Sequence, residues 1–359
     1  MMINKRIGAG GAAVLFALSR IFTEASPLPN ESTEYGMQRF TVVTLAFLTT
    51  FVSYLPLLIV LDRTDGRSPL EAVASRSKLL SGFIGVIFSV FLLFCAAETG
   101  LRSYYYTSGT VFDSAPASYF YIFVGAALLF AVYCGLEAVS RTGMIVSALF
   151  AALILLIVWS LLREIRTERL YPVLADDPAH LAADTVREFS RSVEYLVFAA
   201  LCGSITDKRA KAVPIYLGVS CGAILLMTFL YDTVFGKLTS RLIFPFYTLS
   251  SISDTALMHR INGIDVIVWV MAGLIRLALF AFAFRAVVRD CFGSEKAAGI
   301  AAYVFCVAAL IMSELFTAYP ALYEPMKRIC GSGIPLAAIA VILPAAVFVC
   351  TGKRKAAAE

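Results

Sequence analysis

Residues 143–162 read GMIVSALFAALILLIVWSLL, a run without a single charge. A helix needs about 20 apolar residues to cross the hydrocarbon of a bilayer, and it satisfies every backbone N–H and C=O within itself. A barrel strand would alternate polar and apolar positions. This run is apolar on all sides, so it reads as a spanning helix. Comparable runs place spans near 8–25, 39–61, 80–107, 119–136, 141–162, 187–205, 214–236, 264–286, 299–318 and 333–351. The fold class expected is an all-α integral membrane protein of about ten transmembrane helices, forming a single transmembrane domain over 1–359. Hydrophobic residues make up 60% of the chain and charged residues 15%. An ordinary soluble domain carries about 25% charged residues, so a soluble enzyme is excluded.

Lys and Arg in the loops set the expected orientation. With the N-terminus inside, sixteen fall on inner segments and eleven on outer ones, with Arg20, Arg102 and Arg276 inside spans. Both termini are therefore expected in the cytoplasm, as in a multi-pass protein of a cell membrane. The start, MMINKRIGAGGAAVLFALSR, has the look of a signal peptide, but no cleavage site follows. It reads as an uncleaved first helix. The net charge of +5 is loop asymmetry and no nucleic-acid footprint. The eight cysteines form no CxxC pair, so neither a metal site nor a cofactor is expected. His180 and His259 both fall in outer loops, which leaves no buried histidine relay. Without a Walker A motif, ATP-driven transport by this chain alone is not expected.

Charge inside a bilayer is costly and marks function by default. Four such residues stand out: Arg20, Glu98, Glu194 and Arg276. Their signs cancel, which fits structural ion pairs as readily as a polar cavity for a ligand or proton. Glu98 sits among the small residues Ala96, Ala97 and Gly100, which leave room for close approach. Arg102, four residues on, is its local partner, and Arg276 its tertiary one. Two spans are weak. The first ends in a polar run with Ser19, Arg20, Thr23 and Glu24, and the sixth opens with Ser190, Arg191, Ser192 and Glu194 before Tyr195. In inverted-repeat transporters, corresponding helices of the two halves are interrupted and their free backbone groups bind substrate. First and sixth correspond in a five-plus-five repeat with halves at about 8–162 and 187–351. Both are therefore expected to be interrupted, and Ser19, Arg20, Thr23, Ser192, Glu194 and Tyr195 to line a ligand or ion path with Glu98, Trp269 and Arg276. The outer loop 237–262 carries RLIFPFYTLSSI, expected to lie as a surface helix starting at Pro245. Pro245 and Tyr247 are candidates for gating the outer mouth.

Three segments resemble a known family. They are CGLEAVSRTG (134–143), IFPFYTLSSIS (243–253) and HRINGIDVIVWVMAGLIRLALFAFA (259–283). Together they are similar to the GerAB-type B subunit of spore nutrient-germinant receptors, in the amino acid/polyamine/organocation transporter superfamily. The resemblance covers nearly the whole chain. It implies a leucine-transporter-like fold, residence in a spore inner membrane, and assembly with an A subunit and a lipoprotein C subunit. It implies a sensor of a small nutrient such as an amino acid, with helices 1, 3, 6 and 8 lining the site. A proton-coupled amino acid transporter and a scaffold subunit without a ligand are the other readings. One departure stands out: the first span has no glycine pair at the expected break, since Gly8, Gly10 and Gly11 come too early.

Overall fold

The computed structural model describes residues 6–28, 36–64, 66–111, 116–170, 178–206, 209–253 and 261–352. His259 lies outside them. Fourteen α-helices occur among these residues: α1 Ala9–Ala25, α2 Met37–Leu61, α3 Pro69–Ala74, α4 Lys78–Thr110, α5 Ala117–Cys134, α6 Leu136–Leu161, α7 Pro178–Ser190, α8 Glu194–Leu201, α9 Ala212–Phe235, α10 Pro245–Ile252, α11 Ile261–Phe292, α12 Glu295–Ala318, α13 Pro320–Gly331 and α14 Ile334–Gly352. Eight helices are long and apolar enough to cross a membrane, namely α2, α4, α5, α6, α9, α11, α12 and α14. The short α1 and the broken pair α7/α8 complete ten passes.

Successive passes alternate in direction. The chain therefore leaves β1 (Ile7–Gly8), α3, β2 (Ile205–Thr206) and the close of α14 at one end, here the terminal end. α10 and α13 lie at the other, the far end. β1 and β2 pair in parallel, with Ile7 opposite Ile205 and Gly8 opposite Thr206. This small tie joins the start of the first pass to the close of the sixth, and nothing in the hydropathy announced it.

α11 lies at the centre of the bundle. Of its most apolar stretch 72% is buried, against 17% for α5. α4, α12, α6, α1 and α8 all pack against it. The peripheral helices turn large apolar side chains outward, such as Ile59, Phe123, Trp159 and Val349. In water such a surface would drive aggregation; in a bilayer it meets lipid.

The sixth pass is interrupted as expected, and the first is not. α1 runs unbroken from Ala9 to Ala25. Its polar residues are accommodated without opening the helix. The Thr23 hydroxyl donates back to the Ser19 carbonyl at 3.3 Å, and Arg20 is paired by Glu188. α1 stops at Ser26, where Pro27 disfavours the helical conformation of the residue before it. In the sixth pass, α7 ends at Ser190 and α8 begins at Glu194. Across the gap the backbone tightens to i→i+3 bonds, Arg191 N–H to Glu188 O and Ser192 N–H to Phe189 O. The side chains there are held by other helices: the Ser192 hydroxyl lies 3.0 Å from the Thr50 hydroxyl of α2.

α10 does begin at Pro245. Phe244 precedes it in a non-helical conformation (φ −125°, ψ 79°), and the proline occupies the first turn, where a missing N–H costs nothing.

Candidate functional site

The centre of the bundle is organised by Arg276, on α11. Its side chain is 4% exposed. Nε donates to Thr99 Oγ1 of α4 at 3.1 Å. Nη1 donates to Ser19 Oγ of α1 at 2.8 Å, to the Ser19 carbonyl, and to Glu194 Oε1 at 2.7 Å. Ser19 Oγ in turn donates to the same Glu194 oxygen at 2.7 Å. One planar guanidinium thus joins α1, α4, α8 and α11. Glu194 is the first residue of α8, where the helix dipole favours a negative charge. The acid is stabilised there by both the dipole and Arg276.

A second ionic chain runs beside it toward the far end. Arg20 pairs with Glu188 of α7. Arg191, in the break, reaches Glu188 at 3.1 Å and Glu24 of α1 at 3.2 Å, and Glu24 also pairs with Arg39 of α2. Arg20 and Glu24 lie four apart on one face of α1 and draw α7 and α2 against it. Glu98, on α4, accepts from Arg102 at 2.6 Å and from the Tyr323 hydroxyl of α13 at 3.3 Å.

Between these ion pairs lies a cavity of about 440 Å³. α1 contributes Thr23; α4 contributes Phe91, Phe94, Cys95, Glu98, Thr99 and Arg102; α11 contributes Arg276. The α7–α8 segment adds Arg187, Ser190, Arg191 and Val193. α13 and the turn after it add Glu324, Lys327, Arg328, Cys330, Gly331 and Ser332. Its lining carries six cationic side chains and two carboxylates, Glu98 and Glu324. Four of the six are already paired, Arg102 with Glu98, Arg187 with Asp184, Arg191 with Glu24 and Glu188, and Arg276 with Glu194, so the positive charge left to draw an anion rests on Lys327 and Arg328, which have no ion pair among the described residues. Among the described residues no cluster of His, Cys, Asp or Glu suits a metal ion.

The structure brings Thr23, Glu98 and Arg276 onto the cavity wall. Ser19 and Glu194 stand directly behind Arg276, hydrogen-bonded to it. Ser192 turns to Thr50. Arg20 is engaged with Glu188 and lies over the Phe47 ring. Tyr195 packs in an aromatic cluster with Tyr54, the two rings tilted and their centres 4.9 Å apart. Trp269 packs among Phe22, Phe150 and Phe246, off the cavity. Pro245 and Tyr247 sit on α10, where the Tyr247 hydroxyl donates to the Thr110 carbonyl at 3.4 Å.

Sequence reasoning missed Glu188, Arg191 and the whole of α13. Glu188 sits at a span edge, and Arg191 falls among the charges of the outer segments. α13 carries its signal in PALYEPMKRICG, where Tyr323 is buried while Lys327 and Arg328 reach the cavity.

Two solved structures share this fold over nearly the whole chain. A nucleobase-cation-symport-1 family transporter, in a closed conformation with bromovinylhydantoin bound, aligns with a TM-score of 0.66 at 12% identity, covering 94% of this chain and 78% of its own. A Na+-coupled sialic acid symporter, in a substrate-bound outward-open state, aligns at 0.62 and 12% identity, covering 96% and 79%. Both have the leucine-transporter-like fold. At that identity the likeness is one of fold alone. No curated protein matches the chain by sequence. The spore germination protein model matches residues 37–349. With ten passes, a broken sixth and a transporter fold built around a central cavity, the chain belongs to the spore germination protein family, the GerAB-like permeases of the amino acid/polyamine/organocation superfamily.

Proposed function

We propose that this chain is the membrane subunit of a spore nutrient-germinant receptor, and that it senses a small amino acid-like molecule in the cavity between α1, α4, α7, α11 and α13. The observation that carries the reading is the cavity's make-up: about 440 Å³, with Lys327 and Arg328 free of ion pairs among the described residues and with paired arginines and Glu98 on the same wall. A carboxylate is well matched to the cationic wall, and Glu98 offers an acceptor for an ammonium. Small-molecule sites are commonly clefts of about 300–1,000 Å³ between helices.

Occupation would act through the break at 191–193. Arg191 and Arg276 both touch the cavity and both hold buried ionic partners on α1 and α7–α8. A ligand that draws on these arginines shifts the balance between two packings of α1 against the sixth pass. A- and C-type receptor subunits would read that shift, in a spore inner membrane with both termini cytoplasmic. In that orientation the cavity opens at the outer surface.

The test is a panel of amino acids given to spores lacking this gene, to spores with the gene restored, and to spores carrying Glu98→Gln. Germination is followed by the fall in optical density. A nutrient whose response vanishes on deletion, returns with the wild-type gene and stays lost with normally abundant Glu98→Gln supports the reading. An unaltered response in all three strains overturns it. Uptake of the same nutrient by the purified chain in liposomes would identify a working transporter in place of a sensor.

A further inference from the structure

At the terminal end, remote from the cavity, lies a second hollow of about 320 Å³. It is lined by Arg63, Thr64 and Arg67 after α2, by Ala72, Ser75 and Arg76 of the α3 segment, and by Cys350 and Thr351 of α14. Among the described residues no carboxylate lines it, although Asp62 and Glu71 stand on the same stretch of chain. Arg63, Arg67 and Arg76 are exposed, and among the described residues none of the three has an ion pair. Three guanidinium groups around one hollow repel one another unless an anion joins them.

The loop that carries them is held in place. Arg209 donates to the Leu61 carbonyl at 2.7 Å, to Thr64 Oγ1 at 2.9 Å and to the Arg67 carbonyl at 3.0 Å. Ser68 caps α3 by accepting from the Glu71 N–H, and its hydroxyl donates to Asp290 of α11. Arg209 brings a further positive charge against the backbone of the site while its own donors are used. The Arg63 guanidinium lies over the Phe348 ring at 4.6 Å, which fixes its direction.

The surroundings distinguish this hollow from an ordinary basic surface. Phe348, Val349 and Ile59 are exposed apolar residues of α14 and α2, and Leu79, three residues after Arg76, is 90% exposed. The arginines therefore stand where the lipid-facing surface gives way to the polar end of the bundle. Basic pockets between helices at this level bind anionic headgroups, and guanidinium forks match phosphate oxygens in pairs.

From this juxtaposition we infer that the hollow between the α2–α3 loop and the close of α14 is a binding site for the phosphate of an anionic lipid headgroup. The acyl chains lie along the exposed apolar faces of α14 and α2, and the phosphate bridges Arg63, Arg67 and Arg76. The lipid ties α14, the last pass, to the loop following the second.

Native mass spectrometry of the full chain, released from micelles containing phosphatidylglycerol or phosphatidylcholine, tests the site. Phosphatidylglycerol is expected to remain bound and phosphatidylcholine to be lost. In R63Q/R67Q/R76Q the retained phosphatidylglycerol falls by about fivefold per arginine, on the order of a hundredfold for all three. Millimolar inorganic phosphate leaves it in place, because the acyl chains hold the headgroup locally. Complete displacement by inorganic phosphate would mark a free-anion site and overturn the lipid assignment. Equal retention of the two lipids by the wild type, or equal phosphatidylglycerol retention by wild type and triple variant, would overturn the site itself. The three side chains are exposed, so the variant should elute as the wild type does. Should it not, the three single Gln variants replace it, each read for its own fivefold loss.

Discussion

Replacing Arg276 by Met removes four hydrogen bonds at once, to Thr99, to Ser19 twice and to Glu194. Two effects contribute to the loss. Hydrogen bonds between membrane helices contribute only about 0.6 kcal/mol each on average, so four of them account for about 2–3 kcal/mol. The other effect is charge. Glu194 is fully buried, and without Arg276 its Oε1 keeps only the Ser19 hydroxyl while Oε2 has no partner. Breaking one side of a buried pair costs about 3–5 kcal/mol, mostly from the charge left behind. The two effects separate in a double-mutant cycle. If the stranded charge dominates, adding Glu194→Gln to Arg276→Met restores about 2 kcal/mol, and the coupling between the two positions exceeds about 1.5 kcal/mol. If hydrogen bonds dominate, the second substitution adds its own loss. Arg276→Lys should rescue little, since one ammonium cannot serve Thr99 through Nε and α1 and α8 through Nη1. Reversible unfolding in mixed micelles, followed by the fluorescence of the chain's two tryptophans, measures the four stabilities of the cycle and that of Arg276→Lys. A double variant less stable than Arg276→Met alone would refute the assignment of a charge-dominated centre.

Three further outcomes are expected. Gly100 on α4 faces Ser313 of α12, and a Cβ there would meet Ser313 Cβ at 3.0 Å; Gly100→Ala should lose about 1–3 kcal/mol in the same unfolding assay, as overpacked sites do, and no loss would mean the helices part freely. Pro245→Ala should leave membrane insertion intact while weakening the germination response or subunit assembly, because Pro245 fixes the start of α10; an unchanged response at normal abundance would remove α10 from the mechanism. Cysteines engineered into 165–185 and 240–258 should react with an impermeant maleimide added outside intact cells, and those in 207–212 should not; labelling of the latter would reverse the orientation.

The sequence by itself determined the passes. Nine of the ten spans expected from hydropathy coincide with single helices to within six residues at either end, because a backbone in hydrocarbon has no alternative to internal hydrogen bonding. It also located the start of α10, through the one residue whose ring dictates backbone geometry on both sides. The intramembrane charges at 20, 98, 194 and 276 were legible for the same reason the spans were: each stands out against an apolar run. Their pairing was not legible. Arg276 meets Glu194, 82 residues away, and Arg20 meets Glu188, 168 away, and no period in the chain encodes those distances. The continuity of α1 was decided by tertiary contact as well, since a polar run weakens a helix only when its side chains find no partners in neighbouring passes. The cavity belongs wholly to the tertiary level. Its cationic wall is assembled from helices that are individually close to neutral, and only their packing places six positive side chains around one space.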